Sequence, residues 1–189
     1  MKFNYFSFLF LIVGSFLIGN SLLFYSKGFI GQFLLEKAWE VTKSTQKNTK
    51  PWSWSNTYPI GRLIIPKIKF DHIIIEGASN GSLEYGSGHI YETALPNMRG
   101  NCVIAGHRDS FFSGLEKLLE GNQIILESKT AVVNYVVISI HIVNPMDTKW
   151  LHQYDYTELT LITCYPFNYI GDAPLRYIIK AEKLNSIQI

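Results

Sequence analysis

Leu159-Thr160-Leu161-Ile162-Thr163-Cys164-Tyr165-Pro166-Phe167 is an apolar, β-branched run that stops at a cysteine. Such a run reads as a buried strand. Pro174-Leu175-Arg176-Tyr177 follows, and a second apolar run begins at Arg176. Upstream, Cys102-Val103-Ile104-Ala105-Gly106-His107 is another buried strand that ends at a histidine. A thiol, an imidazole and a guanidinium therefore each sit at a strand edge, where a rigid sheet can aim them at one point. Together they suffice for thiol acyl transfer: a nucleophile, a proton carrier and a fixed cation for an oxyanion.

The rest of the chain past Tyr58 keeps this pattern. Strands are expected over Ile60–Ile65, Asp71–Glu76 and Asn101–His107. Gln123–Glu127 and Val132–Val143 read as a hairpin turning at Ser128-Lys129-Thr130, and Leu159–Thr163 and Leu175–Ala181 complete the set. Ser79 is placed to cap a single helical turn and Ser110 a short helix. A long loop, Asn144 to Glu158, carries Trp150, His152, Tyr154 and Tyr156. Many short strands with few helices argue for a closed barrel or a sandwich.

The N-terminal part differs. Phe3 to Tyr25 is almost unbroken apolar sequence without charge, long enough to span a bilayer. No small-x-small cleavage site is convincing near Tyr25-Ser26-Lys27-Gly28, so an uncleaved anchor is preferred over a signal peptide. Lys2 and Lys27 flank the run and barely discriminate orientation. Phe29 to Thr42 reads as a short amphipathic helix. Phe29, Phe33, Leu34, Ala38 and Val41 form its apolar face, while Gln32, Glu36, Lys37 and Glu40 point away. Lys43 to Lys50 reads as a linker or frayed helix end, and Trp52 and Trp54 as indoles packed on the domain. The expected division is a membrane anchor at 1–27, a juxtamembrane helix and linker at 28–57 and a catalytic β-barrel at 58–189.

Bulk properties exclude several classes. The 189 residues carry a formal charge of +2 with no basic stripe, which argues against nucleic acid. The five histidines are scattered, no Cys-x-x-Cys occurs and no dense acidic cluster invites calcium, so no metal and no cofactor are expected. Of the two cysteines, Cys102 is read as a small core residue, because a disulfide to Cys164 would remove the nucleophile. Asp109 is read as a turn or helix-entry residue and Arg108 as an exposed charge. Thr163 offers a substrate contact beside the thiol, with a plain strand role as the equal alternative.

The order and local contexts of these motifs resemble the sortases. The matching segments are Asn101 to Asp109, Leu159 to Phe167 and Ala173 to Ile179. Thr-Cys-Tyr-Pro-Phe with Pro-Leu-Arg-Tyr, together with Ala38-Trp39 and Trp52-Ser53-Trp54, looks most like the class found in Gram-negative bacteria, the marine proteobacterial type. The resemblance implies an eight-stranded sortase barrel with short helices and a cysteine transpeptidase. It implies Cys164 as nucleophile, His107 as general acid/base and Arg176 as the oxyanion or substrate-positioning residue. It further implies a single-pass inner-membrane protein whose catalytic domain faces the periplasm or cell exterior. Its partner would be a protein with a C-terminal, LPxTG-like sorting signal, passed to an amine acceptor or to water. Two other readings stay open: another cysteine acyltransferase such as an L,D-transpeptidase, and a non-enzymatic anchored barrel that only binds.

Overall fold

The computed structural model describes residues 5–184, without the side chains of residues 22–27. Helix α1 (Tyr5–Thr45) precedes eight strands: β1 (Pro59–Ile65), β2 (Phe70–Glu76), β3 (Ser87–His89), β4 (Gly100–Ala105), β5 (Gln123–Glu127), β6 (Val132–Val143), β7 (Thr157–Tyr165) and β8 (Leu175–Lys183). They close in the order β1-β2-β3-β4-β7-β8-β6-β5. The sheet is mixed: β2 with β3 and β4 with β7 run parallel, and the other pairs are antiparallel.

Period-two alternation builds the interior. Leu63, Ile65, Ile74, Ile104, Leu126 and Leu161 point inward and are fully buried. Closure leaves every strand with two neighbours, which removes the open edges of an ordinary sheet. The expected hairpin is present, with Glu127 opposite Val132 and the Ser128 amide donating to the Ala131 carbonyl at 2.8 Å. Ser79 caps the short helix α2 (Asn80–Leu83) by accepting from the Ser82 amide. After His107 the chain forms turns and a 3-10 segment at Leu115–Lys117 rather than the helix expected from Ser110.

Strand β3 was invisible to hydrophobic patterning, because its three residues are Ser-Gly-His. The glycine is required: a Cβ at Gly88 would lie 2.3 Å from the Gly77 carbonyl oxygen. Close backbone approach, not side-chain burial, selects the residue there.

The N-terminal expectation is corrected. There is no break near Lys27 and no separate juxtamembrane helix, because α1 runs continuously for 41 residues. Among the described residues no helix is long and apolar enough to cross a membrane. That finding overturns the transmembrane segment and, with it, the single-pass inner-membrane placement with a periplasmic or exterior domain. Lys2, the start of the run at Phe3 and the Lys27 side chain lie outside the described residues, as do residues 185–189 of the expected barrel unit. The helix stays continuous because no proline interrupts it and its C-terminal half is held by packing, which outweighs the cost of its internal glycines, Gly14, Gly19, Gly28 and Gly31.

The docked face is also not the one expected. Phe29 is 81% exposed, whereas Gln32, Leu35, Ala38, Trp39 and Thr42 are buried. Leu35 and Trp39 pack on Ile73 and Ile75, the outward residues of β2. Gln32 makes this stripe the better one. Its Oε1 accepts from the Ile73 amide at 3.0 Å and its Nε2 donates to the Tyr85 carbonyl at 2.7 Å. Pairing of β2 with β3 begins only at Ile74, so the glutamine satisfies a backbone group the sheet leaves unpaired. Lys43 completes the dock with an ion pair to Glu127 at 2.8 Å. Trp52 packs as expected, 5.0 Å from the Tyr85 ring, but Trp54 is exposed.

Replacing the fully buried Trp39 with alanine should cost about 3–5 kcal/mol of stability. Urea unfolding of the full chain followed by circular dichroism reads that loss, and an unchanged midpoint would mean that the dock contributes nothing.

Candidate functional site

Three neighbouring strands, β4, β7 and β8, carry the predicted site residues. In the parallel β4–β7 ladder Ala105 lies opposite Ile162. The ladder extends one step further, where the Gly106 amide donates to the Ile162 carbonyl at 3.1 Å. His107 follows immediately, two residues past the end of β4, and Cys164 lies two residues beyond Ile162 on β7. In the antiparallel β7–β8 ladder Cys164 lies directly opposite Arg176. Direct partners of this kind hold their Cβ atoms about 4.5–5.5 Å apart.

Alternation assigns the face. Cys102 and Ile104 on β4, Leu159 and Leu161 on β7, and Tyr177 and Ile179 on β8 belong to the barrel core. The residues between them face outward, and Cys164 and Arg176 share that outward parity. Both are half-buried, as is His107, which sits in the turn that follows β4. The register thus puts thiol and guanidinium side by side on one face, with the histidine on the segment leaving the neighbouring strand.

Thr163 is not part of that cluster. Its parity is inward, it is 2% exposed, and its hydroxyl donates to the Gly106 carbonyl at 2.7 Å. Its position is that of a clamp between β7 and β4 directly behind the sulfur.

Local geometry fixes each group. Gly106 is a glycine because a Cβ there would meet the Phe112 ring at 2.8 Å. With the ring in that space, the His107 carbonyl accepts from the Phe112 amide at 2.9 Å, turning the chain sharply after the histidine. Arg176 uses one guanidinium nitrogen, Nη1, to bond the carbonyls of Ala173 (3.2 Å) and Leu175 (2.9 Å). Among the described residues its Nε and Nη2 have no hydrogen-bond partner, so those donors are available to a substrate oxygen.

The two cysteines are unlike. Both are free. Cys102 is 1% exposed, and burial, with the nearby Glu76 charge, holds its thiol far above the ordinary range. It stays protonated and inert. Only Cys164 combines partial exposure with neighbouring cationic side chains.

The connection from β6 to β7 shapes the surroundings. Trp150 stacks on His141 of β6 with ring centres 4.6 Å apart. The carbonyls of Trp150 and His152 then accept from the Asn101 side chain of β4 at 2.9 and 3.2 Å. The segment therefore crosses the outer face from β6 to β4. On the outer face of β4 and β7, Ala105 and Ile162 are partly exposed, whereas Ile178 of β8 is buried. Asn101 also accepts from the Thr160 hydroxyl at 2.7 Å, locking β4 to β7.

Arg108 was read from sequence as a plain exposed charge, and it is not one. It is half-buried, and its Nη2 donates to the carbonyls of Tyr169 (2.6 Å) and Gly171 (2.8 Å) in the β7–β8 loop. Its Nε is buried with no partner among the described residues, a state that costs about 1–3 kcal/mol. No sequence signal distinguishes such an arginine from a solvated one. Asp109 is exposed in the turn, as expected.

The remaining histidines lie elsewhere. His72 is wedged edge-on between Phe70 and Phe111, and burial lowers its pKa. His89 is buried against Glu76, Thr93 and Ala94. Among the described residues no group of three or more His, Cys, Asp or Glu side chains could hold a metal ion.

Residues 63–184 match the family model described as "Sortase domain". Sortase D of Bacillus subtilis is 38% identical over 125 residues, covering 66% of this chain and 63% of that protein. Sortase A of Streptococcus agalactiae is 28% identical over 149 residues, 74% of this chain and 59% of that one. The chain thus spans somewhat less than two thirds of these relatives' lengths. Among solved structures, a Clostridium perfringens sortase D5 transpeptidase superposes with a TM-score of 0.69 at 28% identity, covering 82% of this chain and 99% of that one. These relatives come from Gram-positive bacteria, which overturns the likeness to the Gram-negative, marine proteobacterial class. The residues that carried it explain why. Ala38-Trp39 is accounted for by docking on β2, so it does not mark a class. A matched model over most of the barrel and an eight-stranded closure place the chain in the sortase family.

Proposed function

We propose that the protein is a cysteine transpeptidase, with its chemistry in the barrel at residues 58–189. The observation that carries this is the register: Cys164 lies directly opposite Arg176, and His107 follows the end of β4, the strand paired to the other side of β7. Sγ of Cys164, as thiolate, attacks the carbonyl carbon of a peptide bond. The carbonyl oxygen takes the negative charge and is met by the free edge of the Arg176 guanidinium, a cation that does not titrate. The C–N bond then breaks, and His107 protonates the departing amine. A thioester on Cys164 remains. An incoming amine, deprotonated by His107, attacks it and restores the thiol, or water does so.

The partly exposed Ala105 and Ile162 offer apolar surface beside Cys164. By the chain's likeness to the sortases, the substrate is a protein with a C-terminal, LPxTG-like sorting signal. The acceptor is an amine.

Of the two thiols, only Cys164 should react with iodoacetamide in the folded full chain at neutral pH. Incubation with candidate C-terminal peptides should trap a thioester whose mass reports the cleavage point, and Cys164→Ala should form none. An adduct in that variant, or alkylation of Cys102 alone, would end the proposal. Arg176→Lys should lower kcat by about 10²–10³-fold, because an ammonium cannot keep the loop carbonyls and still present a planar fork to the oxyanion. Steady-state cleavage kinetics read this, and near-normal turnover with lysine would remove Arg176 from that role.

A further inference from the structure

Arg108 and Arg176 hold the same loop from opposite ends. The β7–β8 loop, residues 166–174, leaves the sheet after Tyr165 and returns at Leu175. Its carbonyls at Tyr169 and Gly171 accept from Arg108 Nη2, and those at Ala173 and Leu175 accept from Arg176 Nη1. Alternate carbonyls thus face two guanidinium groups. Arg108 directly follows His107, and Arg176 directly faces Cys164. Among the described residues, no other hydrogen bond links this loop to the β4 end. The loop is otherwise exposed from Asn168 to Asp172, with Ile170 at 97%. A cavity of about 440 Å³ lies at the same seam, lined by Arg108, Asp109, Ser113 and Glu116 on one side and Tyr165 and Phe167 on the other. Packing therefore does not close the gap between the two loops, and the arginine bridges it.

We infer that Arg108 is a positioning residue: by tying the β7–β8 loop to the end of β4, it sets where His107 stands relative to Cys164 and Arg176. It touches no reacting atom. Past Gly106, His107 has left the β4–β7 ladder, and only the turn bonds at its own carbonyl and the side chain of its neighbour restrain it. Freeing the loop moves His107 and Arg176 together, since the same backbone spans both ties. The inference rests on the transpeptidase proposal for its kinetic consequence, but not for the tie itself.

The full chain is compared with Arg108→Ala and Arg108→Lys by four measurements: peptide cleavage kinetics, the pH dependence of Cys164 alkylation, amide exchange over residues 167–175, and the thermal midpoint. Arg108→Ala should lower kcat about 10- to 100-fold with KM within about twofold, because small misplacements act on the chemical step. Its alkylation profile should move along the pH axis, and loop exchange should quicken. Both carbonyls are bonded by one nitrogen, so the Arg108→Lys ammonium can keep at least one bond and should recover part of kcat and of the pH profile. Unaltered loop exchange in Arg108→Ala would remove the tie. Faster exchange with unaltered kcat and pH profile would show that the tie positions nothing. Equal losses in both variants that follow the thermal midpoint would reduce Arg108 to a stabilising residue. If the unaltered chain cleaves no peptide, the transpeptidase proposal fails on its own, and the alkylation profile still decides whether Arg108 orients His107.

Discussion

Everything at the site depends on the register between β4, β7 and β8. Side chains alternate across a strand, so a slip of one residue would carry Cys164 from the outer face into the barrel. Apolar side chains alone do not fix this well, because β-branched residues lie on both faces of β7. Buried polar contacts do. Thr160 bonds Asn101 on the outer face, and Thr163 bonds the Gly106 carbonyl on the inner one, each at 2.7 Å. Either hydroxyl would be stranded without a partner in any other register, which is costly in a buried setting. The two threonines that precede the nucleophile on β7 therefore act as register pins. The Glu158–Lys180 ion pair, buried further along the same outer face, works in the same direction between β7 and β8.

Much of this was legible beforehand, and the reasons are specific. Strands β4, β7 and β8 are dense in β-branched and apolar residues because they are covered on both faces, so their positions stood out. The pairing of Cys164 with Arg176 followed from one ending and the other beginning such a strand. β3 stayed hidden because its residues are chosen for backbone proximity. Thr163 was read equally as a substrate contact and as a plain strand residue, since sequence gives adjacency to Cys164 but not the bond of its hydroxyl to the Gly106 carbonyl. Arg108 was hidden for a related reason. Its partners are carbonyls, which every residue has, so no complementary side chain advertises the contact.

The N-terminal helix shows how patterning fails when a polar residue is the anchor. Counting apolar residues at helical spacing selected a face containing Phe29 and Phe33, both of which face solvent. The buried face includes a glutamine and a threonine instead. Burial of Leu35 and Trp39 contributes apolar area, but Gln32 decides the rotation of the helix by matching a donor and an acceptor on the sheet. A hydrophobicity count gives that residue the wrong sign.

Gln32 carries one further implication, for the behaviour of the barrel without its helix. A chain trimmed to begin after Thr45 would leave the Ile73 amide and the Tyr85 carbonyl facing water, beside an uncovered strip of isoleucine. Helix α1 therefore acts as a cover for the outer surface of β2, and the barrel's surface there is complete only with the helix in place.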